Sequence, residues 1–252
     1  MRRFRRSAEV EDRTVDVYDY STGIAFLNYL ELSPRPIFQS YSAYTPSLEG
    51  WNLRYYQSER APDYLLWREE RVDERYPGQD DAMLVAALPG HYEPLFQEGP
   101  YWLFRKVTPV SKAPAQLRLL LKRTVSLSEE IELPGPAGTA IWLQADPVPN
   151  NLGRLRRLLY KPALINLAVT DDQGRKRVWR LLPRIARAGF ILVPTLTDGG
   201  DMALLMKGET RSSVKSFHFE APDTQDEFWF RVEVAVFQMP DLPLRPVDGG
   251  AK

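Results

Sequence analysis

The chain contains no cysteine. That absence excludes disulfides, thiolate metal sites and cysteine nucleophiles together. Histidine is nearly missing too: His91 and His218 are the two copies. A histidine-rich zinc site is therefore excluded, and a Ser-His-Asp triad has little to draw on. No apolar run approaches the roughly 18 residues of a membrane span. The opening MRRFRRSAEVEDR is basic but lacks the apolar centre of a signal peptide, so the chain as given reads as soluble. After the first strand candidate, YDYSTG offers Gly23 as its one glycine, where a dinucleotide loop needs several. No cofactor, no metal and no catalytic residue is expected.

What is present suits a folded core. Over 252 residues, 44% are hydrophobic and 12% aromatic, enough for one large domain or two modest ones. The net charge of zero hides a segregation. Residues 1–110 carry 13 basic and 17 acidic side chains, whereas residues 150–187 carry 10 and 2. A basic segment of that kind attracts phosphate-bearing surfaces or is simply solvated.

Strand and helix signals alternate over the first hundred residues. TVDVYDY (14–20) reads as a strand and STGIAFLNYLEL (21–32) as a helix with Ser21 as N-cap. RPIFQSYSAY reads as a second strand running into a turn. TPSLEGWNLRYYQSER (45–60) then reads as a helix with Thr45 as cap, Pro46 at its first position, and Leu48, Trp51 and Tyr55 as its apolar face. PDYLLWREE (62–70), QDDAMLVAALPG (79–90) and YEPLFQEGPYWLFRKV (92–107) read as strand, helix and strand pair. This order predicts a small three-layer α/β domain over residues 1–110 with a largely parallel sheet. Beyond TPVSKAPA (108–115), a linker, the period changes to two. Seven or so strand segments predict a jelly-roll β-sandwich over 111–242, with helical signal in LGRLRRLLY and DMALLMKG and a frayed tail at 243–252.

Four stretches can carry chemistry. The first, PRPIFQSYSAYTPSLEGWN (34–52), sets Arg35, Gln39, Tyr41 and Tyr44 between apolar segments, as a ligand-contacting turn or as a strand-to-helix connection. These side chains are expected at the carboxyl end of a parallel strand, where ligands of open α/β sheets bind. The second, WREERVDERYPGQDD (67–81), is dense in carboxylates interleaved with arginine. It suits a salt-bridged loop or a carboxylate pair for glycoside hydrolysis, and Asp73 and Arg75 can brace the end of the second strand. The third, NNLGRLRRLLYKP (150–162), places Arg154, Arg156, Arg157 and Lys161 among leucines. It predicts a short amphipathic helix that faces an anionic membrane or caps the sandwich. In the fourth, TDGGDM, Asp198 and Asp201 read as a turn and helix cap, and His218 between two phenylalanines reads as structural. No nucleic-acid partner is expected, because no binding motif is present and the rest of the chain is acidic.

DVYDYSTGIAFLN, RPIFQSYSAYTPSL, APDYLLWR, VDERYP and GPYWLFRK, in that order, resemble the soluble region that follows the membrane-spanning part of bacterial polytopic membrane proteins related to glycosyltransferases of the protein-mannosyltransferase type, which use lipid-linked sugars. NLGRLRRLLYKP, ARAGFILVP and the final β-run are similar to the second half of that region, a galactose-binding-like jelly roll. The resemblance implies a non-catalytic extracytoplasmic (periplasmic) module, because the catalytic carboxylates of such enzymes lie in loops between membrane helices. Its partners would be the membrane surface, the membrane-embedded part of a parent protein, or a saccharide or lipid-linked precursor. Without the resemblance the chain reads as cytoplasmic. The alternatives are a free-standing carboxylate-dependent glycoside hydrolase-like enzyme and a purely structural domain.

Overall fold

The computed structural model describes residues 13–70, 72–110, 116–135 and 138–247. Most of the expected linker (111–115), the basic residues 1–12 and the last five residues lie outside that set. The first half builds one five-stranded sheet from β1 (Thr14–Val17), β2 (Glu31–Leu32), β3 (Tyr64–Trp67), β4 (Tyr92–Glu98) and β5 (Tyr101–Lys106). Its order is β2-β1-β3-β5-β4. β2 and β3 flank β1 in parallel, while β5 and β4 add on as an antiparallel hairpin. The sheet is therefore mixed, with a parallel core of three strands.

Period-two alternation divides the strands between two faces. Val15, Val17, Tyr64, Leu66, Tyr101 and Leu103 pack under helix α1 (Gly23–Leu27). Tyr18, Leu65, Trp67 and Phe104 belong to a second core. That core takes in residues of α2 (Pro46–Tyr56) and α3 (Ala82–Ala87) and runs on into the second half. Helices thus cover opposite faces, and the crossover changes side between β1 and β3. This point sets where a ligand can approach.

Three local expectations need correcting. The second strand is Glu31–Leu32, not the Arg35–Tyr44 stretch, which carries only a 3-10 turn at Ser40–Ser42. Pro34 and Pro36 bring no amide donors for a ladder, and side chains fix the segment instead. Helix α1 is five residues long, with no side-chain cap at its start, and Tyr29 adopts φ 56° just beyond its end. Helix α2 begins as expected, with the Leu48 amide donating to Thr45 Oγ1 at 3.3 Å. Its buried face, however, is Glu49, Gly50, Asn52, Tyr55 and Tyr56, while Trp51 is half exposed.

The second half packs two antiparallel four-stranded sheets. One is ordered β10 (Lys176–Leu181), β9 (Ile165–Thr170), β13 (Ser216–Glu220), β7 (Ile131–Glu132). The other is ordered β11 (Phe190–Val193), β8 (Thr139–Pro149), β14 (Trp229–Pro243), β6 (Arg118–Val125). Helix α4 (Asn151–Leu159) follows β8, α5 (Pro183–Ala188) follows β10, and α6 (Gly199–Met206) precedes β13. The expected tail is partly ordered. β15 (Arg245–Pro246) pairs in parallel with β12 (Glu209–Thr210), and Leu242 and Leu244 are buried. The segment 75–79 joins the halves: Tyr76 donates its hydroxyl to the Leu192 carbonyl at 3.0 Å. Its ring lies 5.3 Å from Trp179 and 4.8 Å from Phe190.

Candidate functional site

Beneath the carboxyl ends of the parallel strands lies a buried charge cluster. Arg35 is 1% exposed, and its guanidinium is fully engaged. Nε donates to Asp81 Oδ2 (3.2 Å) and Nη1 to Asp16 Oδ2 (2.8 Å) and the Val17 carbonyl (3.1 Å). Nη2 donates to the Tyr18 carbonyl (2.6 Å), the Phe38 carbonyl (3.1 Å) and Ser40 Oγ (2.6 Å). From α2, Tyr56 donates to Asp16 (2.8 Å), and Asn52 donates to Asp81 (2.7 Å) while exchanging two hydrogen bonds with Ile37. Arg35 therefore ties the ends of β1 and β2 to α2 and to the start of α3. It presents nothing to a ligand. Burial pushes the Asp81 carboxyl up to about 7, against the pull of Arg35. Burial likewise pushes Glu49 up to about 8, although its Oε2 accepts from the Met83 amide.

A crevice opens above this platform between the segments that leave β1 and β3. Its floor is the Tyr18 ring, stacked on Trp67 at 3.6 Å. Its walls are Asp19, Tyr20, Tyr41, Arg68, Glu70 and Asp80. Arg68 is the hub. Its Nε donates to Asp19 Oδ2 at 2.5 Å, and Nη2 donates to Ser21 Oγ at 2.8 Å and pairs with Glu70. Glu70 also accepts from the Tyr20 hydroxyl. Tyr20 and Tyr41 meet edge to face at 6.2 Å. At the far end Arg75 donates to the Tyr41 carbonyl and to Asp80 Oδ1, both at 3.1 Å, and burial raises the Asp80 carboxyl.

The enclosed part holds about 30 Å³, room for about one or two waters. It shares Arg68, Glu69 and Glu70 with a wider space of about 410 Å³ that reaches Gln97, Pro100 and the start of α6. This wider space forms the mouth of the crevice. The edge opposite is fixed by a capping box: Asp198 accepts from the Asp201 amide at 3.0 Å, and Arg211 pairs with both acids.

The residues expected at a ligand are dispersed by depth. Tyr41 and Arg75 line the crevice, and Arg35 lies under it. Asp73, in left-handed backbone (φ 55°), stands behind Arg75 and pairs with Arg180 at 3.3 Å. Gln39 is half-buried and Tyr44 exposed, and neither lines the crevice. The sequence reading singled out neither Asp19 nor Tyr20, and took Arg68 only as one of the arginines of the carboxylate-dense stretch 67–81. Their signal was position, since Arg68 directly follows the third strand and Asp19 and Tyr20 lie just past the first.

Two other clusters gather charged side chains. His218 lies 2.8 Å from Glu130 and 3.1 Å from Glu220, with Lys176 donating to Glu220 at 2.7 Å. The cavity of about 160 Å³ beside Trp179 is lined by Arg175 and Arg211, both paired with aspartates, and by Arg177, which has no carboxylate partner among the described residues. Among the described residues no group of three or more His, Asp or Glu is placed to hold a metal, and no helix is long and apolar enough to cross a membrane. Comparison with family models, curated proteins and solved structures finds no match.

Proposed function

We propose that the protein is a non-catalytic recognition module of a membrane protein of glycosyltransferase-like context, extracytoplasmic, and that it holds a saccharide or the sugar end of a lipid-linked precursor across the crevice. The observation that carries this reading is the pairing of Tyr20 and Tyr41 at the mouth with fixed polar groups of Arg68, Glu70 and Arg75. Ring faces suit the C–H faces of a sugar, and pre-oriented charged donors and acceptors suit its hydroxyls. The location supports it too, since the crevice lies where the crossover side changes. The accompanying sandwich reads as a jelly roll, and its strand order supports this. Counted one to eight without β12, the sheets run 1-8-3-6 and 2-7-4-5, as two nested Greek keys would give.

The test is a glycan-array screen of the full chain, followed by titration of any hit against Tyr20→Ala and Tyr41→Ala. Binding lost in both variants, with unchanged thermal unfolding, is the expected result. Retention of full affinity by both would refute the assignment. One observation favours hydrolysis as a second reading: the crevice contains Asp80, raised by burial, together with Glu70. Such a pair supplies acid and base. Release of reducing sugar from a bound glycan, abolished by Asp80→Asn, would replace recognition by catalysis.

A further inference from the structure

An ordinary surface helix turns its apolar stripe inward. Helix α4 does the reverse. Gly153 is its one buried residue, and the backbone of Phe228 lies so close that a Cβ at 153 would come within 2.2 Å of the Phe228 carbonyl oxygen. Asn150 fastens the helix start: Oδ1 accepts from the Gly153 amide at 2.9 Å, and Nδ2 donates to the Glu227 carbonyl at 2.6 Å. At about 100° per residue, Leu152, Leu155, Leu158 and Leu159 span an arc of about 120°, centred about 160° away from Gly153. They are 56%, 51%, 81% and 74% exposed, and Tyr160 is 72% exposed. Phe230, beside Arg154 at the start of the helix, is 63% exposed. The leucine stripe therefore faces solvent, and the glycine faces the protein.

Arg156 borders the stripe on one side and Arg154 on the other, while Arg157, about 40° from Gly153, lies away from the stripe. Arg156 packs over Phe228 at 4.8 Å and over Tyr160 at 5.7 Å, and its Nε donates to the Lys161 carbonyl at 3.2 Å. Among the described residues none of Arg154, Arg156, Arg157 and Lys161 has a carboxylate partner. Residues 150–187 also hold 10 basic against 2 acidic side chains. Cations without carboxylate partners beside an outward apolar stripe match an anionic headgroup layer above acyl chains. A protein partner would need a groove with acids on both rims, and nothing in the arrangement favours one.

We propose that α4 is an in-plane membrane anchor, with its leucines in the acyl boundary and Arg154, Arg156, Arg157 and Lys161 among anionic headgroups. This does not depend on the crevice. Its test is sedimentation of the full chain with phosphatidylglycerol/phosphatidylcholine vesicles and with phosphatidylcholine vesicles, at about 50 and about 300 mM salt. Two variants accompany it: all four cations changed to Gln, and Leu152, Leu155, Leu158 and Leu159 changed to Ser. The wild type should pellet with anionic vesicles only, and less at the higher salt. Each cation near the surface is worth roughly fivefold, so the Gln variant should bind at least about tenfold more weakly. The Ser variant should fail at both salts. Thermal unfolding of each variant, read alongside, separates lost binding from lost fold. Equal binding to both vesicle types, no binding to either, or a Ser variant that binds like wild type overturns the proposal. So does concentration-dependent self-association that the Ser changes abolish, because the stripe would then be a contact between copies.

Discussion

Arg35 and Arg157 are the same residue in opposite circumstances. Arg35 is wholly buried and shares its five N–H donors among six acceptors, two of them aspartates without solvent exposure. Arg157 is exposed and has no carboxylate partner among the described residues. The apolar residues invert in parallel. The α2 face over the Arg35 cluster buries Glu49 and Asn52, whereas α4 exposes four leucines. Near the crevice, polar groups do the work of a core and fix several chain segments in one geometry. At α4, apolar groups are kept out of the core. Residue type does not decide placement here; the partners reachable in space do.

The largest effect should come from breaking the buried side of this contrast. Arg35→Met leaves Asp16 and Asp81 without their cation, in a site that already lacks partners for Asp16 Oδ1 and Asp81 Oδ1. Removing one partner of a buried ion pair costs about 3–5 kcal/mol. Urea denaturation should show that loss, and Arg157→Met should stay within about 0.5 kcal/mol of wild type. If the two substitutions behaved alike, the cluster would not be holding the strand ends.

Gly153→Ala is the next step down. The new methyl group meets the Phe228 backbone, so α4 must lift or the strand entry at Trp229 must shift, at about 1–3 kcal/mol. The same urea curves measure it. Ala is the better helix former, so a stabilised variant would show that the close approach does not constrain the helix.

Sequence order made some of this legible and hid the rest. The Thr45-Pro46 start of α2 and the Asp198 capping box were readable because a cap bonds an amide three residues away. Arg35 was not, since its aspartates lie 19 and 46 residues from it in the chain. Between two prolines it looked like a turn residue open to a ligand. The helical spacing of Leu48, Trp51 and Tyr55 suggested an apolar inner face, and the distant Asp16, Ile37 and Asp81 drew Asn52 and Tyr56 inward instead. For α4 the period was plain from the leucines, but a period does not say which side meets the protein. Gly153 was the available sign, because only a residue without Cβ fits so near a carbonyl.

Glu49 sharpens the comparison through pH. Its folded-state value, about 8, lies above that of an unfolded glutamate. Between roughly pH 4.5 and 8 the native state holds a proton that the unfolded chain has released, so stability falls as pH rises through this window. Glu49→Gln fixes the neutral form. Its melting temperature should match wild type near pH 4 and exceed it by a margin that widens steadily as pH rises to 8. A wild-type advantage at pH 8 would mean that the buried carboxylate is stabilised there as an anion.

The smallest expected effect bears on the exposed side. Changing Leu158 and Leu159 to Ser removes two large apolar side chains, a substitution that costs about 2–5 kcal/mol per leucine in a core. At 81% and 74% exposure these two bury little on folding, and what remains is the difference in helix propensity, a few tenths of a kcal/mol per residue. Thermal unfolding should therefore place the double variant within about 0.5–1 kcal/mol of wild type, whereas Leu205→Ala, wholly buried in α6, should lose the full core amount. A loss of core size at Leu158 and Leu159 would mean that another part of the chain covers them. If they cost nothing, two leucines on this helix contribute no stability to the isolated fold, and the reason for them must be sought at the surface they face.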